Sequence, residues 1–171
     1  MYALQLELSA SIIGAMPSKA RTKLFSRFGH LYLPFKPPGF WQASACVYCG
    51  NRAQSRDHIP PLVWLYCLGP SYFERDGLLI VWVPACLQCN VALTDRRLFT
   101  IAERTAFLLQ FYTDRYAAIL QTPVWDDAQL GELRGQLKER IGTSEEFRKG
   151  ITRRLAILAE NNKVRSLPES I

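Results

Sequence analysis

The stretch Ser55-Arg56-Asp57-His58-Ile59-Pro60-Pro61 places one of the chain's two histidines between a carboxylate and a pair of prolines. A neutral imidazole is a proton acceptor suited to pH near 7. An Asp carboxylate and an Asn amide carbonyl are hard oxygen donors of the kind that Mg²⁺ or Mn²⁺ takes. Asp57, His58 and Asn90 therefore supply one base and two such donors. Hydrolysis of a phosphodiester needs that set: a base to activate water, and a cation to stabilise charge on the phosphate and the leaving oxygen. Alternation along a strand would send Asp57 and His58 to opposite sides. The reading thus requires a bent or terminal strand position, which the prolines could fix.

The flanks are as informative. Four of the five cysteines form two C-x-x-C pairs, Cys46/Cys49 and Cys86/Cys89. Each tight turn presents two thiolates, and two such turns suit one tetrahedral zinc ion. No secretory leader is read at the amino terminus, which argues against a disulfide framework and for a cytoplasmic protein. Cys67, in the apolar run LVWLYCL, is expected in the core. Asn90 directly follows Cys89, so a zinc staple would carry Asn90 from its distant place in the chain to the neighbourhood of Asp57.

C-x-x-C, then Asp-His, then C-x-x-C-Asn resembles the zinc-bearing branch of the HNH, or ββα-metal, endonucleases, and most closely the phage recombination endonucleases that resolve DNA junctions. The resemblance implies a treble-clef-like, zinc-stapled ββα core. It implies His58 as general base, Asp57 and Asn90 as holders of the catalytic cation, and Cys46, Cys49, Cys86 and Cys89 as structural zinc ligands. It also implies cleavage that leaves 5′-phosphate and 3′-hydroxyl ends. The match covers about fifty of the 171 residues. Two features depart from it. Residues 59–85 lack the asparagine that many family members carry there, and 36 residues separate Cys49 from Cys86. Ser71 or Asp76 could substitute for the asparagine, or Trp64, Tyr66, Tyr72 and Phe73 could hold the long insertion together.

The elements that must position these groups follow from periodicity. Residues 2–28 read as mainly helical, with Leu4, Leu6, Leu8, Ile12 and Ile13 apolar. Pro17-Ser18 then restarts a basic helix carrying Lys19, Arg21, Lys23 and Arg27. Residues 33–40 form a Pro/Gly linker that can be neither helix nor central strand. Arg56 to Ile59 reads as a short strand, Pro61 to Leu68 as a short helix, and Leu78 to Val83 as the best strand in the chain. A helix is expected from Asn90 onward. Further on, Leu98, Ala102, Ala106, Leu109, Tyr112, Tyr116 and Ile119 share a helical face. Leu130, Leu133, Leu137 and Ile141 form a second run that Gly142 should stop. Thr143 with Glu146 reads as a capping box opening a third run through Phe147, Ile151, Leu155 and Leu158, with Arg148, Lys149, Arg153 and Arg154 on its other face.

The fold expected is α+β: a basic helical segment and linker over residues 1–40, a nuclease core over 41–97, and a helical region over 98–171. Net charge is +4 over residues 1–45, −1 over 46–95 and +3 over 96–171. Basic flanks around a slightly acidic centre suit a protein that holds a polyanion. The partner expected is DNA, duplex or branched, with Arg52, Arg56, Arg96 and Arg97 as candidate phosphate contacts. No apolar run reaches the roughly 20 residues of a membrane span. The helical flanks are candidates for a homodimer interface. His30 is read as structural or surface, and Asp95, five residues past Asn90, as a lesser ligand candidate. The competing reading is a zinc-stapled module that binds nucleic acid or protein without catalysis.

Overall fold

The computed structural model describes residues 18–35 and 44–165. The expected apolar stretch over Leu4 to Ile13, and the linker from Lys36 to Phe40, lie outside the described residues. The described chain is mixed α and β, with a small sheet and mostly helices. Helix α1 is Ser18–Phe28, and a 3₁₀ turn over Gly29–Leu31 leads to strand β1, Leu33–Pro34. Strand β2 is Ser55–Ile59, followed by helices α2, Leu62–Leu68, and α3, Pro70–Arg75. Strand β3 is Val81–Ala85 and helix α4 is Leu87–Leu93. Helices α5, Ile101–Leu120, α6, Asp127–Glu132, and α7, Gly135–Arg165, complete it.

The sheet order is β1-β3-β2, with β3 parallel to β1 and antiparallel to β2. Residues read as linker thus supply a strand, but an edge one, where the missing N–H of Pro34 costs no ladder bond. Leu33 N donates to the Ile80 carbonyl at 3.2 Å and Phe35 N to that of Trp82 at 3.1 Å. The strand expected over Leu78 to Val83 begins three residues later. Leu78 N instead caps α3 through the Phe73 carbonyl at 2.8 Å. Pro84 is tolerated in the central strand because its nitrogen, which has no hydrogen to donate, faces the side where β1 has ended, and its carbonyl faces the same way. There it accepts Val47 N at 3.0 Å, which ties the first cysteine turn to the sheet.

The connection between β2 and β3 is longer than a simple turn, because it folds into α2 and α3. Gly69, at φ 78, breaks the two helices apart, and Pro70 opens the second. Trp64 and Phe73 are buried and meet Phe99 edge-on at 6.1 and 5.2 Å. These rings, with Tyr72 against Phe73 at 5.2 Å, make a second small core that holds the insertion together. Tyr66 stays exposed, as do Ser71 and Asp76. Cys67, expected in the core, is on the exposed face of α2.

The carboxy-terminal run corrects two expectations. Gly142 does not stop a helix: α7 is continuous from Gly135 to Arg165. Thr143 makes no capping box either; its hydroxyl donates to the Glu139 carbonyl at 2.9 Å, one turn back within the helix. The same capping signature is realised upstream, where Thr100 and Glu103 open α5 with both reciprocal bonds formed. The buried face of α5 is Arg104, Thr105, Leu108 and Tyr112, rotated from the apolar stripe read in the sequence because it carries a charge inward. On α7, Ile151 and Leu158 are buried as expected, while Phe147 is half exposed against Tyr116. One core joins the cysteine turns, β3 and α4 to Leu108 and Tyr112 of α5 and Leu158 of α7. Residue 98 is therefore no break in packing. Among the described residues no helix is long and apolar enough to cross a membrane.

Candidate active site and metal centre

Two cysteine turns converge on the inner end of β3. In the first, Gly50 N closes on the Cys46 carbonyl at 2.9 Å, and Gly50 takes φ 70, which favours glycine. A Cβ there would also come within 3.1 Å of Ile157 Cδ1 on α7. In the second, Cys86 is the N-cap of α4 and its sulfur accepts Cys89 N at 3.4 Å. The helix thus starts at Leu87, earlier than expected, and Asn90 sits within it. Sγ atoms of Cys46, Cys49, Cys86 and Cys89 all lie within 4.8 Å of one another and all four residues are buried. Cys49 and Cys86 sulfurs are 3.7 Å apart. A tetrahedral zinc with Zn–S of about 2.3 Å holds its sulfurs about 3.8 Å apart, so the cluster fits a metal ion such as zinc. The spacing is too long for a disulfide, and all five cysteines are free.

The helices close over this centre. Asn161 of α7 donates to the carbonyls of Tyr48, at 2.9 Å, and Val47, at 3.4 Å. Tyr112 of α5 directs its hydroxyl at Cys89 Sγ, 3.9 Å away. Arg154 lays its guanidinium 4.8 Å from the Tyr112 ring centroid. Burial opposes the charge of Arg154, but Cys49, Tyr112, Cys89 and Cys86 outweigh it and hold its pKa above the ordinary value. A fixed cation there would offset the net negative charge of four thiolates around one dication.

Strand β2 carries the reactive stretch, and it keeps its alternation. Arg56 and His58 face outward while Asp57 and Ile59 face inward. His58 is half-buried between two rings, Tyr32 edge-on at 4.7 Å and Phe25 edge-on at 5.5 Å. Burial first, and then the nearby arginines, depress its pKa below the usual histidine value against the opposing pull of Asp57. The imidazole is therefore neutral near pH 7 and able to accept a proton. It borders a recess of about 410 Å³ lined by Arg21, Thr22 and Phe25 of α1, by Arg56, Asp57, Pro61 and Leu62, and by Asn90, Thr94 and Asp95. Asn90 Nδ2 donates to Ser55 Oγ at 3.1 Å and to the Arg56 carbonyl at 3.2 Å. A backbone carbonyl can only accept, which fixes the amide nitrogen toward β2 and leaves Oδ1 as the side chain's remaining polar atom.

Asp57 is engaged elsewhere than the sequence suggests. Its carboxylate is 5 % exposed and receives Arg104 Nη1 on both oxygens, at 2.7 and 2.6 Å. Tyr48 donates to Oδ2 at 2.5 Å, and its hydroxyl is held protonated chiefly by burial. Arg104 also donates to the carbonyls of Leu98 and His58 at 3.0 and 3.3 Å. A metal ion at Asp57 would confront this guanidinium, like charge against like. The donors at the recess thus fit a hard divalent cation only in part: Asn90 offers an oxygen, but the expected carboxylate partner is committed to an arginine. The physical reason is the unbent strand, which turns Asp57 toward α5.

The four candidate phosphate contacts separate. Arg56 lines the recess and stacks over Trp82, 4.5 Å from its centroid. Arg96 lies over Phe107 at 4.3 Å, Arg97 over Trp64 at 5.6 Å, and Arg52 is at an isolated bridge with Ala45; none of the three lines the recess. Asp95 does line it, not as an open ligand but in an ion pair with Arg21 at 2.8 Å. His30 is exposed, in keeping with a surface role. Sequence reasoning missed Arg21, Phe25, Tyr32, Tyr48, Arg104 and Arg154 as parts of these sites. Only the basic character of α1 was a usable signal. Comparison with protein-family models, with curated proteins and with solved structures returns no match.

Proposed function

We propose that the chain is a nuclease of the HNH, ββα-metal type, which hydrolyses phosphodiester bonds of DNA in the cytoplasm on a structural zinc scaffold. One observation carries the reading: a neutral, half-buried imidazole opens on a recess flanked by two arginines and an amide, beside a four-thiol metal centre. His58 accepts a proton from water as it attacks phosphorus in line, and Arg21 and Arg56 meet the phosphate charge that builds in the transition state. The water proton passes to His58 Nδ1 or Nε2, and the bond to the leaving 3′ oxygen breaks. Mg²⁺ or Mn²⁺ bound at Asn90 Oδ1 would add positive charge at the same phosphate. Asp57 serves this arrangement by anchoring Arg104, which in turn holds the His58 carbonyl and so the strand beneath the base.

The test is nicking of supercoiled plasmid with Mg²⁺ or Mn²⁺ added. His58→Ala should lower cleavage at least a hundredfold while zinc content and DNA binding persist, the contribution expected of a general base. Cleavage at wild-type rate in that variant would end the proposal. A second reading, a zinc-stapled binding module without catalysis, is favoured by the commitment of Asp57 to Arg104. It expects DNA retention with no nicking under any divalent ion.

A further inference from the structure

The wall of the recess that faces His58 belongs to α1. Arg21, Thr22 and Phe25 lie on one side of this helix and line the recess, while Lys19, Lys23 and Arg27 lie on the opposite, exposed side. Spacing gives the reason, because residues four apart stand over one another on a helix. Arg21 is held in place by Asp95, with its guanidinium still half exposed. Phe25 is unusual for a helix of this character. It is 47 % exposed, yet it is not loose: it meets His58 edge-on at 5.5 Å, and a Cβ at Gly29 would strike its ring at 3.1 Å. The glycine leaves room for the ring to lie where it does. A half-exposed aromatic ring is thus held beside the candidate base and one helical turn from an arginine.

We infer that this cleft takes an unpaired nucleotide: Arg21 and Arg56 bind the phosphates on either side of His58, and the exposed face of Phe25 stacks on a base. The inference rests on the nuclease reading and deepens it by naming the substrate class as single-stranded nucleic acid, or the unpaired part of a branched one. Stacking on an aromatic ring together with cationic contacts along the backbone is how single strands are held, and it is indifferent to sequence because every base has a π-face. The recess volume of 410 Å³ falls within the roughly 300–1,000 Å³ of sites that enclose a small organic group. In an intact duplex the bases are stacked on one another, so Phe25 would have no free face to meet.

The experiment measures fluorescence anisotropy of the His58→Ala protein, which should bind without cutting, with a 12-nucleotide single strand and with the duplex of the same sequence. Tighter binding of the single strand is expected. Phe25→Ala should weaken it about tenfold, the size implied by loss of one base stack, and leave duplex binding unchanged. Phe25→Tyr should restore the single-strand affinity, which separates stacking from a fold defect. Arg21→Met should weaken both and reduce the salt dependence by about one phosphate contact. Tighter binding of the duplex, or a Phe25→Ala protein with undiminished single-strand affinity, would overturn the inference. A parallel nicking assay on the wild-type protein keeps the two readings apart. Absence of cleavage counts against the nuclease alone, whereas equal cleavage of single strand and duplex counts against the stacking cleft alone.

Discussion

Arg104 is the residue on which the local architecture turns. It is 1 % exposed, and its guanidinium reaches Asp57, the Leu98 carbonyl and the His58 carbonyl at once. Removing one partner of a buried ion pair leaves the other uncompensated, at a cost of about 3–5 kcal/mol. Arg104→Met is therefore expected to be severely destabilising in urea unfolding. Asp57→Asn in the same protein should recover part of the loss, since the remaining side chain is then neutral. If the two substitutions simply add, the pair is not coupled as described. Asp57→Asn alone should also slow cleavage, by releasing the strand beneath His58 rather than by removing a cation ligand. A drop in cleavage unchanged by raising Mg²⁺ or Mn²⁺ would fit that role.

At the scale of elements, α7 is one helix where periodicity suggested two. Gly142 lies within it with open space around its Cα and no left-handed φ. Gly142→Ala is expected to stabilise the protein by about 0.5–1 kcal/mol, read as a rise in Tm. A helix that ended at Gly142 would respond with the opposite sign, because a C-capping glycine there would need the left-handed region. The far end of the same helix holds the first cysteine turn through Asn161. Asn161→Leu should cost about 1–3 kcal/mol by leaving the Tyr48 carbonyl unsatisfied, and should speed zinc loss to a colorimetric chelator.

For the whole molecule, the four-cysteine cluster, which could hold a metal such as zinc, is the common anchor. Cys46 and Cys49 fix the turn that Asn161 holds; Cys86 and Cys89 cap and fill the helix that carries Asn90; Tyr112 and Arg154 bring α5 and α7 to the same spot. Removing zinc should therefore loosen all of these together, not the cysteine turns alone, because metal binding and folding share one free energy. The expected outcome of chelation is loss of near-ultraviolet circular dichroism and of a sharp calorimetric transition. Survival of a cooperative transition at unchanged Tm would show that the helical core stands without the metal. The positive charge on α1 and Arg56 also predicts nucleic-acid binding that falls steeply as salt rises.

The local elements were legible in the sequence because each is written in a short pattern. Two C-x-x-C spacings announced the thiol cluster, SRDHI and its prolines gave β2 and its end, and LVWLYCL gave α2. Asn90, next to Cys89, was expected beside Asp57; Asp57, His58 and Asn90 all line one recess, but the Asp57 carboxylate is held by Arg104. Long-range ion pairs were not legible. Arg104 lies 47 residues from Asp57, and Arg21 lies 74 from Asp95. No periodicity links such partners; only the tertiary packing of α5 and α1 brings them together. For the same reason Asp57 read as a metal ligand in sequence and is an arginine's partner in the fold: alternation fixes which way it points, but what waits there is set by tertiary contacts.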